Sequence, residues 1–202
     1  MNFQELETKL SITFSNQTLL LEAFTHSSYV NEHHRKNLAN NERLEFLGDA
    51  VLELLVSDYL FHRYPELQEG DLTRMRANIV CEESLFHFAE KLELSKYVLL
   101  GKGEERTGGR NRQALLADVF EALLGALYLD QGIEACRQFL DEHVFSDEAI
   151  DVFSYVMDYK TKLQELVQEN KGSTLSYAII SETGPSHRKT FVAEVVVNGT
   201  MK

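Results

Sequence analysis

The stretch NERLEFLGDAVLELLVSDYLF, residues 41–61, decides how the first part of this sequence folds. Its apolar residues recur at three-to-four spacing, which predicts a helix, and they are so dense that most of the helix surface must be covered. The same stretch carries Glu42, Glu45 and Asp49, whose i, i+3, i+7 spacing places them on one stripe of the helix. An acidic stripe on a largely covered helix requires something that compensates its charge.

A second stretch, ALLADVFEALLGALYL, residues 114–129, repeats this anomaly. Its only charged residues are Asp118 and Glu121, again three apart, and Gly125 continues their stripe, where it permits close approach of another helix or of a substrate backbone. Burying even a neutral polar group without a partner costs about 2–7 kcal/mol. Arg43 and Arg112 are the nearest bases in sequence but lie off the stripes, so internal salt bridges explain the acids poorly.

A divalent cation explains these carboxylates better. The donors are all oxygen, with no His or Cys three or four residues on, which suits Mg²⁺ or Mn²⁺ rather than zinc. A di-iron bundle would need a Glu-x-x-His pair, which neither stripe has. For either helix alone a solvated acidic face is the simpler interpretation, but two such helices favour a metal, and Mg²⁺ suits phosphoryl chemistry.

Composition and charge set the outer limits. The chain has 202 residues, 44% of them hydrophobic and 26% charged, enough to bury a core. The net charge of −12 arises entirely in residues 1–150, which hold 14 basic and 26 acidic residues, whereas residues 151–202 hold six of each, so we expect a domain boundary near 150. No run of about 18 apolar residues exists, and two cysteines cannot make a disulfide framework. We expect a cytoplasmic protein with no membrane partner.

The apolar pattern predicts helices over residues 3–10, 17–28, 41–62, 71–79, 82–92, 113–130 and 132–143. Asn16 and Asp71 are the expected caps. The stretch GKGEERTGG, residues 101–109, has four glycines that argue against a stable helix; its basic flanks suit either a solvated connector or a phosphate-binding loop. Alternation then predicts a helix over 160–170 and strands over 174–181 and 190–197, joined by an Asn198-Gly199 turn.

Several of these stretches resemble one known family. NERLEFLGDAVLEL (residues 41–54) resembles the signature of the ribonuclease III family, and ALLADVFEALLGALYLD (114–130) resembles its second block. AFTHSSYVNE (23–32) and PELQEGDLTRMRANIV (65–80) extend the match, and KTKLQELVQ with GPSHRKTFVAEV resembles a double-stranded-RNA-binding domain. The resemblance implies an all-α catalytic domain over 1–150, a short linker over 151–157 and a partial α+β RNA-binding domain over 158–202.

The resemblance also assigns roles to acidic and aromatic residues. The positions that match the family's metal-binding carboxylates are Glu45, Asp49, Asp118 and Glu121. Of these, Asp49 and Glu121 match the residues usually called catalytic. Glu42 and Glu69 match two further acids of a valley formed between subunits. Phe46 matches a dimer contact, whereas periodicity alone would place it in the monomer core.

The implied function is endonucleolytic hydrolysis of double-stranded RNA by a homodimer, with Mg²⁺ as cofactor and Mn²⁺ as a substitute. The family leaves 5′-phosphate and 3′-hydroxyl ends and processes ribosomal RNA precursors and other structured transcripts. The retained acids favour this over the alternative of a non-catalytic double-stranded-RNA-binding protein. A helical metal-storage bundle is a further alternative, which would bind iron and ignore RNA.

In the tail, the resemblance implies RNA contacts at two places. The positions are Gln164 and Gln168 on the helix and Pro185, Ser186 and His187 in the loop between the strands. Without the family, the two glutamines would be ordinary surface residues. The family's RNA-binding domain continues with a third strand and a Lys-rich helix, and this sequence ends at Lys202 before either is complete. We therefore expect weaker RNA binding than in a member with the whole domain.

Overall fold

The computed structural model describes residues 3–33, 38–146, 163–164, 166–167, 173–183, 190–197 and 200–201. The chain divides into two compact units, Met1–Tyr155 and Val156–Lys202. Within the described residues, the first unit is helical and the second contains an antiparallel sheet. This order confirms the predicted fold class.

The helices of the first unit are α1 Phe3–Lys9, α2 Gln17–Ala23, α3 Ser27–His33, α4 Glu42–Arg63, α5 Glu69–Ile79, α6 Glu82–Lys91, α7 Lys102–Arg106, α8 Gln113–Gln131 and α9 Ile133–Leu140. Short 3₁₀ turns cover Leu94–Tyr97 and Gly109–Asn111, and a π-helical turn, Asp141–Phe145, follows α9. None of the described helices is both long and apolar enough to cross a membrane.

Helix α8 forms the centre of this unit. A helix that is apolar on all sides is stable only when its whole surface is covered, and α2, α4, α6 and α9 pack around α8 to provide that cover. Its side chains Phe120, Leu123 and Leu127 are fully buried. The two charged residues of its middle turns, Asp118 and Glu121, are only half-buried, which shows that one stripe of the helix stays open.

Helices α4 and α8 touch backbone to backbone where they cross. A Cβ atom added to Gly48 would lie 1.8 Å from the carbonyl oxygen of Glu121, and one added to Gly125 would lie 2.2 Å from that of Leu44. The close approach expected at Gly125 is therefore an approach of another helix. Gly48 is its counterpart on α4, and together the two glycines bring the acidic stripes of both helices to one place.

The predicted helix over 17–28 is wrong, because the chain breaks between α2 and α3. Thr25 forms a parallel bridge with Leu99, and the backbone N–H of His26 donates to the Leu99 carbonyl at 3.1 Å. These bonds to a distant segment replace the helical ones. Asn16 caps α2 as predicted, its side chain accepting the Thr18 N–H at 3.0 Å.

Two other predicted helix ends are also wrong. Helix α5 begins at Glu69 after Gln68, so Asp71 is not its cap but lies in the first turn, where a carboxylate stabilises the helix dipole. The helix predicted over 132–143 ends at Leu140 and continues as the π-helical turn.

The expectation that residues 101–109 form no helix is wrong too, since α7 lies within them. Its N-terminus is capped from outside: Ser28 Oγ accepts the Gly101 N–H at 3.0 Å, and a Glu32 carboxylate oxygen accepts the Lys102 N–H. These tertiary bonds offset the low helix propensity of glycine. Two of the flanking bases are tied into the segment, Arg110 to Glu105 and Arg112 to Glu104, each at 2.6 Å, as the connector interpretation expects; the list of pairs is Arg110–Glu105 and Arg112–Glu104.

In the second unit, the strands β1 Leu175–Thr183, β2 Thr190–Val197 and β3 Thr200–Met201 form an antiparallel sheet in the order β1-β2-β3. Strands β1 and β2 pair with a bulge between Ile179 and Ser181. Residues 163–164 and 166–167 are helical, inside the predicted helix 160–170. The predicted Asn198-Gly199 turn lies outside the described residues.

Candidate metal centre

The crossing of α4 and α8 brings three carboxylates together. Glu45 of α4 and Asp118 and Glu121 of α8 each offer one oxygen, and these three oxygens lie within 4.8 Å of one another. We call this set the carboxylate cluster. Each of the three side chains is half-buried, so the cluster is open enough to receive an ion and dry enough to strengthen its charge.

The electrostatics of the cluster are unfavourable for carboxylates alone. Burial raises the pKa of Glu121 from 4.5 to about 8, and the negative charges of Asp49, Glu45 and Asp118 add to this effect. Burial likewise raises the pKa of Glu45, with contributions from Asp118, Glu42 and Asp49. Bringing several acids together in a half-buried place therefore costs free energy unless a proton or a cation neutralises them.

The two arginines nearest in sequence act elsewhere. Arg43 lowers the pKa of Glu22, and Arg112 forms an ion pair with Glu104 at 2.6 Å. The cluster's donors are all oxygen, which is the set that hard divalent cations prefer. The residues present thus fit Mg²⁺ or Mn²⁺, while the geometry leaves the identity of the ion open.

Asp49, the fourth predicted ligand, does not belong to the cluster by distance. It lies one helical turn beyond Glu45 on α4 and is exposed, but its charge raises the pKa of both Glu45 and Glu121. Glu42, one turn before Glu45, is exposed and acts on Glu45 in the same way. The α4 stripe therefore surrounds the cluster with further negative charge.

Glu69 lies apart from these residues in its interactions. It is the first residue of α5, is exposed, and accepts a hydrogen bond from Thr73 Oγ1 at 2.9 Å. It also lines an open groove of about 390 Å³ with Phe61, Leu67 and Arg76 among its walls. Glu69 is not among the charges that act on Glu45 or Glu121.

Sequence reasoning missed two residues that act on the cluster. Burial raises the pKa of Asp118, the charge of Glu82 at the start of α6 raises it further, and His26 opposes both effects. Neither residue shares a helix with the acids, so no spacing rule links them to the stripes. Only the packing of α2 and α6 against α8 brings these segments to the site.

Phe46 lies outside the core. Its side chain is 81% exposed, although it follows Glu45 directly on α4. Leu54 and Phe61 of the same helix are also exposed, at 60% and 66%. Periodicity alone therefore misplaces Phe46, because the apolar residues of α4 cover more than one face of the helix.

Of the predicted RNA contacts, one can be placed. Gln164 lies in the helical segment of the second unit and is exposed. Gln168, Pro185, Ser186 and His187 lie outside the described residues.

Two family models match the chain. The Ribonuclease-III-like model matches residues 16–148, and the double-stranded RNA binding motif matches residues 159–201. Ribonuclease 3 of Geobacillus kaustophilus is 61% identical over 197 residues, 98% of this chain and 80% of that protein. Ribonuclease 3 of Listeria innocua is 57% identical over the same share of this chain and 86% of its own length.

A solved structure shows the same helical fold. The nuclease domain of ribonuclease III from Campylobacter jejuni superposes with a TM-score of 0.68 at 38% identity, covering 73% of this chain and 99% of that one. A helical nuclease domain with a carboxylate cluster, followed by a double-stranded RNA binding motif, defines an endoribonuclease of double-stranded RNA. This chain belongs to the ribonuclease III family, which confirms the resemblance found in its sequence.

Proposed function

We propose that this endoribonuclease depends on Mg²⁺, accepts Mn²⁺, and leaves 5′-phosphate and 3′-hydroxyl ends. The observation that carries the proposal is the convergence of the Glu45, Asp118 and Glu121 oxygens within 4.8 Å. An acidic cluster of this kind, in a family of ribonucleases, has a direct use in phosphodiester hydrolysis. Ribosomal RNA precursors and other structured transcripts in the cytoplasm are the substrates we propose.

Glu45, Asp118 and Glu121 would hold the ion, with Asp49 on the next turn as a further ligand on the α4 side. A divalent cation bound there polarises the phosphodiester and activates water for attack. The protein's own contribution is positioning, because two helices locked by Gly48 and Gly125 fix the carboxylates before substrate arrives. Glu121 must give up its proton to bind the ion, since its pKa lies at about 8 without one.

Cutting both strands of a duplex requires two such clusters. Each chain contributes one, and a two-fold homodimer presents two in symmetric positions, which matches the approximate dyad of an RNA duplex. The Campylobacter jejuni structure describes a region involved in dimer formation in that nuclease domain. We propose that the exposed Phe46 makes this contact here, and that Glu42 and Glu69 line the valley between subunits.

The RNA-binding motif supplies affinity that the acidic domain lacks. Double-stranded RNA is recognised mainly by shape and by contacts to phosphates and 2′-hydroxyls across the minor groove. We propose Gln164 and Gln168 as minor-groove contacts and the loop with Pro185, Ser186 and His187 as a second contact. Bound cations, rather than Lys and Arg, would then face the scissile phosphates.

The test is a cleavage assay on one labelled RNA duplex and its single-stranded counterpart, with Mg²⁺, with Mn²⁺, or with a chelator. We expect cleavage of the duplex only, in either metal, with products that carry a 5′-phosphate. Cleavage in the presence of the chelator would contradict the metal dependence. Duplex binding with no cleavage in Mg²⁺ or Mn²⁺ would instead indicate a non-catalytic RNA-binding protein.

A further inference from the structure

His26 occupies a fixed position beside the metal centre. Its backbone N–H donates to the Leu99 carbonyl at 3.1 Å, and the preceding residue, Thr25, accepts the Asn41 N–H at 2.9 Å. The Asn41 carbonyl in turn accepts the N–H of Glu45, also at 2.9 Å. A short chain of backbone hydrogen bonds therefore connects the segment of His26 to the first turn of α4, which carries a member of the carboxylate cluster.

The hydrogen bonds around the imidazole determine which nitrogen carries the hydrogen. Ser28 Oγ accepts the N–H of Gly101 at 3.0 Å, so its own O–H is available to His26 Nδ1, 2.8 Å away. The backbone N–H of Ser28 also donates to Nδ1, at 3.2 Å. Because Nδ1 accepts both bonds, the ring hydrogen of neutral His26 lies on Nε2.

The remaining side of the ring serves the cluster. His26 and Asp118 are both half-buried, and among the charges that act on Asp118 the histidine is the one that favours its carboxylate form. No direct hydrogen bond joins these two described side chains, so they interact through space or across a bridging water. With Nδ1 occupied by Ser28, the Nε2–H is the ring donor left to face outward.

We propose that His26 is a positioning residue of the metal centre, whose Nε2–H orients the Asp118 carboxylate for metal binding. This inference rests on the proposed function, because it assumes that the cluster holds a divalent cation. Groups that hydrogen-bond to metal ligands orient them, and losing such a group costs about 10–100-fold in metal affinity. Ser28 and Gly101 then form the outer part of the same arrangement, since they fix the tautomer.

Two substitutions separate this role from the role of His26 at the start of α3. In His26→Asn, the side-chain oxygen takes the place of Nδ1 and still caps the helix, because asparagine is a favoured N-cap residue, but the Nε2–H is lost. In His26→Gln, the amide N–H reaches the place of Nε2, but the acceptor for Ser28 is lost. The control is His62→Asn, at the far end of α4, 17 residues beyond Glu45 and about 25 Å away at 1.5 Å per residue.

The measurement is Mn²⁺ binding by calorimetry to the whole RNA-free chain, alongside the melting temperature of each metal-free variant. We expect His26→Asn to bind Mn²⁺ about 10–100-fold more weakly at an unchanged melting temperature. His26→Gln should melt lower yet bind Mn²⁺ nearly as wild type does, and His62→Asn should match wild type in binding.

Wild-type Mn²⁺ affinity in His26→Asn would overturn this inference and leave the proposed function intact. Weak binding in both His26 variants, each with a lowered melting temperature, would overturn it as well, because it would indicate a merely structural role. If wild type itself bound no Mn²⁺, both proposals would fail.

Discussion

Glu121 is the carboxylate on which the chemistry of this site depends most. It comes from the most buried helix of the domain, and its pKa is raised to about 8 by burial and by three neighbouring acids. Such a group is costly to keep unless an ion uses its charge. The spacing of the acids in the sequence was enough to identify it, because an acid in a solidly apolar helix is unexpected wherever that helix lies.

Replacing this charge should abolish catalysis without loss of folding. We predict that Glu121→Gln lowers duplex cleavage by about 10³-fold or more, since a bound ion is worth several kcal/mol in the transition state and each 1.4 kcal/mol is tenfold. Duplex binding, measured by filter retention, should be unchanged. Glu90→Gln, which neutralises an exposed acid of α6, is the control. Normal turnover by Glu121→Gln would exclude a catalytic role for this residue.

The same residue predicts how stability depends on pH. Between about 4.5 and 8, the folded metal-free protein retains a proton on Glu121 that the unfolded chain has lost. Unfolding therefore releases protons, and the free energy of unfolding falls as the pH rises through this range. We expect the melting temperature of the metal-free protein to fall between about pH 5 and pH 8, and Mg²⁺ to restore it most at the higher pH. Glu121→Gln should flatten the profile; an equally steep profile in that variant would contradict the assignment.

The residues that the sequence did not reveal have a common cause. Glu82 and His26 act on Asp118 from a different helix and from a helix junction. Hydrophobic periodicity connects residues of one element only. It cannot indicate which side chain of another element will lie opposite, so these residues required the three-dimensional structure.

At the scale of the elements, the α4–α8 crossing holds the site together. We predict that Gly48→Ala destabilises the protein, because its Cβ would lie 1.8 Å from the Glu121 carbonyl oxygen and push the helices apart. Overpacking typically costs about 1–3 kcal/mol or more, which corresponds to roughly 2–4 °C in melting temperature per kcal/mol for a chain of this size. Because the helices carry the ligands, Mn²⁺ affinity should fall as well.

Gly70→Ala is the matched control, because no atom lies within 4 Å of its added Cβ and it also sits in a helix, α5. Alanine there should leave the melting temperature unchanged or raise it slightly. Equal melting temperatures and Mn²⁺ affinities for Gly48→Ala and wild type would show that the helices do not need backbone contact.

The predictability of the elements follows from how local their causes are. Helices α4 and α8 begin and end within one residue of their predicted bounds, because long apolar repeats dominate them. The break after Ala23 and the helix α7 depend instead on bonds to distant residues, from Thr25 to Leu99 and from Lys102 to Glu32. No local rule anticipates such bonds.

At the scale of the whole molecule, assembly should depend on the exposed apolar face of α4. We predict that Phe46→Ser weakens the homodimer about thirtyfold or more, the loss of a hot spot of at least 2 kcal/mol, while the monomer stays folded because Phe46 is 81% exposed. Sedimentation velocity across a dilution series measures this. Ile179→Ser, at a 68% exposed position of the second unit, is the control. A dimer of undiminished strength in Phe46→Ser would place the interface elsewhere.

The acidic balance of the chain also finds its account at this scale. Net charge alone argued against a nucleic-acid partner, because residues 1–150 carry the whole excess of acids. The family matches assign RNA binding to the C-terminal motif and the nuclease to the acidic part. Charge averaged over a chain therefore hides a division of labour that the motifs reveal.

The central claim is that the carboxylate cluster is the place where a catalytic cation binds. Its most direct test is anomalous diffraction from crystals of the protein soaked in Mn²⁺. We predict a manganese peak in contact with the carboxylate oxygens of Glu45, Asp118 and Glu121, lost in Glu121→Gln crystals. Soaked crystals with no peak at these side chains, at a Mn²⁺ concentration that supports cleavage, would contradict the claim.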